Sequence, residues 1–199
     1  MTLPLTRRAA LAGGAALAAL LAAAPVRAQD LGRARALVDA LVADVNAVID
    51  SGVPEDAMIV QFAQIFLAYG DVPTIARYSL GTDARGLSGD QMARYQAAFS
   101  TYVARKYGSR FREFIGGRIL VEDARAVPNG IEVQTTADLR GEAPFRVDFW
   151  VSDRSGQLKF FNMVIEGVNM LLSERTEIQA MLDQRGGDVE RLIADLSRL

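Results

Sequence analysis

The residue types that most often carry out catalysis are scarce in this sequence. Its 199 residues contain no His and no Cys, so a Ser-His-Asp or Cys-His nucleophile cannot be assembled, and a zinc site would lack its two commonest ligands. The acidic residues do not have calcium-loop spacing. Gly81 and Gly86 have the spacing of a phosphate-binding loop, but Leu87 and Ser88 follow where Lys and then Ser or Thr are required. The sequence therefore predicts no catalytic residue, no metal site and no cofactor, and the protein is not expected to be an enzyme.

One carboxylate stands out because of its position. Glu166 follows a run of apolar residues typical of a covered strand, and it precedes Gly167. One interpretation is a general acid or base whose pKa is raised. The other is a structural carboxylate that accepts backbone N–H hydrogen bonds, or pairs with Arg175, where a strand meets a helix. The structural interpretation is favoured because the sequence shows no partner for proton transfer.

Aromatic side chains recur along one stretch with helical periodicity. They are Tyr95, Phe99, Tyr102 and Tyr107. This stripe has two interpretations, an ordinary hydrophobic core or the wall of an apolar cavity between a helix and a sheet. Periodicity alone does not separate them, because a core and a lipid pocket use the same residue types.

The elements that must position these residues are helical in the first half of the chain. Apolar residues recur at three- and four-residue spacing from Leu31 to Ile49, and again from Met58 to Tyr69. A short third helix is predicted to open at residues 71–73. Ser88 and Gln91 form a capping-box pattern, which predicts the start of a fourth helix.

The periodicity changes from helical to alternating after a short apolar turn at residues 111–115. The alternating segments predict strands near residues 119–121, 131–139 and 145–151. The run at residues 158–165 is apolar on both faces, which predicts a last strand that is covered. Their connections are short, which favours antiparallel hairpins. Two helices near Met170–Leu182 and Asp188–Arg198 follow. This order predicts an α+β fold, with helices packed on one curved antiparallel sheet of about four strands.

Residues 1–28 have the parts of a secretory signal peptide. Arg7 and Arg8 precede an uncharged run rich in Ala and Leu, and small residues before Gln29 predict cleavage after Ala28. The run is shorter than the roughly 20 residues of a membrane span, which disfavours the alternative of an uncleaved anchor. The paired arginines suggest twin-arginine export, although ordinary signals also carry basic pairs.

Residues 29–199 are predicted to form a single exported domain. Three of the 22 Lys and Arg residues lie in residues 1–28, and none of the 24 Asp and Glu residues does. The domain is therefore acidic, and nucleic acid is not an expected partner.

Several segments occur in the order found in one protein family. Residues 161–170, followed by Arg175, resemble the signature strand and turn of the MlaC (toluene-tolerance) family. Residues 76–81 are similar to its Leu-Gly helix end. The long helix with Phe99, Tyr102, Tyr107 and Gly108, the strand at residues 144–149 and the closing helix at residues 187–196 are similar as well. Asn162 and Asn169 stand where the family commonly has Asp and Ser.

The resemblance implies a periplasmic phospholipid-binding protein of the pathway that maintains outer-membrane lipid asymmetry. It implies that the protein shuttles phospholipid between an inner-membrane ABC transporter complex and an outer-membrane lipoprotein complex. It also implies a structural motif formed by Glu166, Gly167, Val168 and Arg175. The family's mode of binding, combined with strand parity, predicts that a lipid cavity is lined by Phe99, Val103, Tyr107, Val133, Val147 and Phe149.

Three other functions remain open from the sequence. One is a carrier of another apolar lipid, such as a hopanoid. Another is an enzyme on a cone-shaped α+β fold with Glu166 or Asp148 as the base. The third is a structural adaptor whose interior is solid core, which a cavity large enough for an acyl chain would argue against.

Overall fold

The computed structural model of the protein describes residues 28–109 and 115–198. The predicted signal peptide, apart from Ala28, lies outside the described residues. So does the predicted apolar turn, apart from Ile115.

The helices begin and end close to the residues that the periodicity predicts. Within the described residues they are α1 (Ala28–Asp50), α2 (Glu55–Tyr69), α3 (Val72–Ser79), α4 (Gly89–Gly108), α5 (Met170–Asp183) and α6 (Val189–Leu196). The capping box predicted for α4 is confirmed, because the Ser88 hydroxyl accepts the Gln91 N–H and the Gln91 side chain accepts the Ser88 N–H. Asp71 caps α3 in a similar way, since its carboxylate accepts the N–H of Thr74.

The strands form a single antiparallel meander. They are β1 (Arg118–Val127), β2 (Gly130–Asp138), β3 (Phe145–Ser152), β4 (Lys159–Ile165) and β5 (Val168–Asn169). Among the described residues the sheet has five strands in sequence order, so each strand pairs with its neighbours along the chain. The first four are the strands that the sequence predicts, and β5 is too short to leave an alternating pattern.

The hydrophobic core lies between the helices and one face of this sheet. Val133 in β2 faces Phe149 in β3, and Phe149 faces Met163 in β4. These three side chains pack with the buried stripes of the helices. Asn46 ties α1 to β1, because its side chain donates to the carbonyl of Ile119 (3.4 Å) and accepts the N–H of Ile119 (3.3 Å). The predicted α+β architecture is confirmed.

Candidate functional site

A cavity of about 440 Å³ lies between the helices and the inner face of the sheet. Small-molecule sites typically have volumes of roughly 300–1,000 Å³. Most of the wall is apolar, and it includes Leu41, Val45, Phe62, Phe66, Val147, Phe160 and Ile165. The charged or amide side chains on the described wall are Glu142, Asn162 and Glu174. The arrangement suits an apolar ligand, because apolar groups leave water to enter it.

The cavity opens at one end of the sheet. Two of its described lining residues are exposed, Glu142 in the β2–β3 loop and Val168 in β5. Both residues lie at the same end of the sheet, because the strand register brings the last residues of β2 and β4 next to the first residues of β3. An amphiphile seated here would keep its apolar part inside and its polar part at this opening.

Five of the six residues predicted to line a lipid cavity lie on its wall, namely Phe99, Val103, Tyr107, Val147 and Phe149. Val133 does not line the cavity. It is fully buried in the packed core beside Phe149. Strand parity assigns a residue to the inner face, but the core and the cavity share that face. Helix α1 packs against β2, whose inner face is therefore partly core. Contact with a lipid stays a prediction for all six residues.

The aromatic stripe of α4 divides between the two interpretations. Phe99 and Tyr107 line the cavity. Tyr95 is fully buried in the core, where its hydroxyl lies 2.7 Å from the hydroxyl of Ser79, and burial raises the pKa of Tyr95 above its ordinary value. Tyr102 turns away from the cavity and donates a hydrogen bond to a carboxylate of α5, described below.

Glu166 lies in the tight turn between β4 and β5. Its φ of 48° and the φ of 79° at Gly167 place both residues in the left-handed region. The Glu166 carboxylate accepts the backbone N–H of Arg146, and the Glu166 N–H donates to the carbonyl of Arg146 (3.1 Å). Asp148 pairs with the Arg146 guanidinium (2.9 Å). Neither carboxylate lines the cavity, so the geometry does not favour either as a base acting on a bound molecule.

The two Asn residues in this region both bind backbone at the start of α5. The Asn169 side chain accepts the N–H of Leu172 (3.0 Å) and caps the helix, as a Ser would. The Asn162 side chain accepts the N–H of Leu171 (3.0 Å). These bonds fix the position of α5 against β4, and with it the side chains that α5 places on the cavity wall.

Two segments that are far apart in the sequence meet at Arg175. Its guanidinium lies over the ring of Tyr78, 5.1 Å from the centroid. It also covers Gly81, where an added Cβ would lie 3.0 Å from the Arg175 Nη2 atom. Gly81 has a φ of 60°, so both its conformation and this close approach favour glycine.

A polar cluster joins α4 to α5 beside the cavity. Lys106 donates to one oxygen of Glu174 (2.7 Å) and to Glu177. The Tyr107 hydroxyl donates to the same Glu174 oxygen, and the Tyr102 hydroxyl donates to Glu177 (2.6 Å). Two carboxylates thus share one ammonium group.

The electrostatics of the cluster follow from these contacts. Burial opposes the charge on Lys106, but its hydrogen bonds to Glu174 and Glu177 outweigh burial, so its pKa lies above the ordinary value. Burial likewise opposes the charge on Glu177, but the bonds from Lys106 and Tyr102 hold its pKa below the ordinary value. Burial and the bond to Glu177 raise the pKa of Tyr102. Lys106 and Glu177 therefore form an ion pair at neutral pH.

Glu174 is the functional candidate that the sequence interpretation missed. It is buried, it lines the cavity, and its Oε2 atom has no hydrogen-bond partner among the described residues. The sequence carries one signal for it, because Glu174 shares a helical face with Leu171 and Ile178, which otherwise face the interior.

Within residues 28–109 and 115–198, no helix combines the length and apolar content needed to cross a membrane. Those residues also hold no group of three or more acidic side chains placed to bind a metal ion.

A helical layer over an antiparallel meander leaves an apolar cavity, open at one end, that could enclose an apolar ligand. The sequence model of the family described as MlaC protein matches residues 35–198. The chain belongs to the MlaC family. Its fold is similar to that of a phospholipid-binding protein from Ralstonia solanacearum, solved in complex with a phospholipid, with a TM-score of 0.71 and 20% sequence identity over 83% of this chain and 95% of that chain.

Proposed function

We propose that this protein binds a phospholipid, with the acyl chains in the cavity and the polar head at the opening beside Glu142 and Val168. The observation that carries the proposal is the apolar cavity whose exposed described lining residues, Glu142 and Val168, lie at one end of the sheet. Membership of the MlaC family supports it. The similar protein from Ralstonia solanacearum, which was solved with a phospholipid, supports it as well.

A phospholipid needs a carrier because exposing its acyl chains to water costs a large free energy. A two-tailed lipid has about 30 methylene groups, and each costs about 0.8 kcal/mol to expose to water. A lipid monomer therefore leaves a membrane and crosses water too rarely to be useful. A carrier needs a dry cavity and an exit for the head group, and it needs no nucleophile.

The proposal extends to location and partners. Residues 1–28 act as the signal peptide that delivers the chain to the periplasm. There the protein shuttles phospholipid between an inner-membrane ABC transporter complex and an outer-membrane lipoprotein complex, which maintains outer-membrane lipid asymmetry. The family supports this extension, and the cavity supports the binding step on which it depends.

Denaturing the purified protein and analysing the extract by mass spectrometry tests the binding step. We expect phospholipid at close to one molecule per chain. A hopanoid or another apolar lipid in its place would identify the alternative carrier. A protein that is consistently empty, and that takes up no lipid from vesicles, would contradict the proposal.

A further inference from the structure

Three phenylalanines that line the cavity pack together at its inner end. They are Phe66, Phe149 and Phe160, which we call the cavity floor, and all three are almost fully buried. The Phe160 ring contacts both of the others, with its centroid 6.1 Å from that of Phe66 and 5.8 Å from that of Phe149. Phe160 is therefore the side chain that joins the floor into one packed unit.

The floor lies at the end of the sheet opposite the opening. Phe160 lies near the start of β4 and pairs with Val151, whereas Ile165 ends β4 beside the opening. Phe66 reaches the floor from the last turn of α2. An acyl chain that enters through the opening therefore meets the floor last.

Backbone contacts behind the floor hold it in place. The Asp71 N–H donates to the carbonyl of Phe160 (2.8 Å), which ties the junction of α2 and α3 to β4. Gly70 lies close behind the rings, because an added Cβ there would be 3.1 Å from the Phe160 Cζ atom and 2.7 Å from the carbonyl oxygen of Phe66. Since this region is already close-packed, the floor cannot recede from a longer ligand without separating β4 from that junction.

The depth of the cavity matches the length of one acyl chain. Ile165 and Phe160 both line the cavity and are five positions apart in β4. A strand rises about 3.3 Å per residue, so the cavity is roughly 16 Å deep along β4. The hydrocarbon core of a bilayer is about 30 Å thick, so the acyl chains of one leaflet span roughly 15 Å. An ordinary membrane acyl chain would therefore reach the floor with its polar end at the opening.

We propose that the cavity floor sets the longest acyl chain that this protein accepts, and that Phe160 determines this limit. A longer chain would have to leave methylene groups in water at the opening, because the floor blocks it at the inner end. The inference depends on the proposed phospholipid binding and adds a chain-length limit to it. The limit acts on the far ends of the acyl chains and is independent of the head group.

The test uses lipid-stripped full-length mature protein and vesicles that contain equal amounts of two phosphatidylethanolamines. One lipid is dioleoyl and the other is dierucoyl, which has longer monounsaturated chains on the same head group. Protein and vesicles are incubated until the ratio of bound lipids no longer changes, and bound lipid is quantified by mass spectrometry. Each methylene left in water lowers affinity about fourfold. We therefore expect the dioleoyl lipid to be enriched at least about tenfold on the wild-type protein.

Three variants assign the limit to the floor. Phe160→Ala opens space toward Gly70, so the enrichment should fall to about onefold. Phe160→Leu keeps a large apolar side chain and moves the limit less, so about threefold enrichment is expected. Phe145→Ala is the matched control, because it removes the same ring from the wall at the start of β3, beside the opening. It widens the cavity without deepening it and should keep the tenfold enrichment.

The outcomes separate this inference from the proposed function. Wild-type protein that binds no lipid contradicts the proposed function itself. Wild-type protein that binds both lipids equally leaves the proposed function standing and overturns the chain-length limit. Full enrichment in both Phe160 variants overturns the role of Phe160, and enrichment lost in Phe145→Ala as well would show that total volume, not depth, is selected. The wild-type comparison and Phe160→Leu decide the matter even if Phe160→Ala fails to fold.

Discussion

Two valines on neighbouring strands provide a sharp test of where packed core ends and cavity begins. Val133 and Val147 both lie on the inner face of the sheet, and both are almost fully buried. Val147 lines the cavity and Val133 does not. Replacing either by Ala removes two methyl groups, but only at Val133 does the change open a new void in a packed region.

The expected magnitudes differ accordingly. Transfer of two methyl groups accounts for about 1.6 kcal/mol, and the new void in a rigid core adds to it, so Val133→Ala should lose about 2–3 kcal/mol of unfolding free energy. Val147→Ala enlarges a space that already exists, and in lipid-free protein it should lose about 1 kcal/mol. With lipid bound, the same two methyl groups contact the ligand, so Val147→Ala should weaken lipid binding by up to about tenfold.

Urea denaturation of lipid-free protein, followed by circular dichroism, measures the first difference. Competition between protein and vesicles for a fluorescent phospholipid measures the second. Val133→Ala is the matched control and should bind lipid as the wild type does. The assignment of the cavity would be refuted if Val133→Ala weakened lipid binding while Val147→Ala did not.

Three further perturbations test contacts beside the cavity and elsewhere in the fold. Lys106→Met removes the ammonium that Glu174 and Glu177 share, and a loss of about 2–3 kcal/mol is expected in chemical denaturation. This is below the value for a fully buried pair because Lys106 is partly exposed. Gly81→Ala should cost about 1–2 kcal/mol, because its φ is positive and a Cβ would crowd Arg175; an unchanged melting temperature would contradict this. On the surface, Arg94 of α4 donates to the carboxylate of Glu190 in α6 (2.6 Å). Arg94 lowers the pKa of Glu190 to about 2 from an ordinary 4.5, so this ion pair stabilises the fold above pH 4.5 and loses its contribution as the pH falls toward 2. Glu190→Gln should therefore lower the melting temperature slightly at pH 6 and leave it unchanged at pH 2. An equal decrease at both pH values would contradict a stabilising ion pair.

Most of the fold could be predicted because its helices and strands produce recognisable patterns among residues that are close together in the sequence. The capping box at Ser88 and Gln91 and the alternation in β2 and β3 depend on residues that are close together in the chain. The strand β5 was not predicted, because a strand of two residues is too short to show an alternation of apolar and polar residues. Asn169 caps α5 because its side chain accepts a backbone N–H, as a Ser at this position could.

The candidate site was predictable only in part. Strand parity and helix periodicity place Phe99, Val147 and Phe149 on inner faces, but the separation of core from cavity depends on how the helices sit on the sheet. The bond between Lys106 and Glu174 joins residues 68 positions apart. No local pattern links such residues, so the cluster and its unpaired oxygen became visible only in three dimensions.

Photocrosslinking tests the central claim most directly. A phospholipid with a diazirine near the end of one acyl chain is bound to the protein and irradiated, and the labelled peptides are identified by mass spectrometry. The account predicts labels on inner residues of the wall, such as Phe66, Phe99 and Phe160. Labels confined to the outer face of the sheet, such as at Trp150, or on exposed helix positions such as Leu67, would contradict binding of the acyl chains within the cavity.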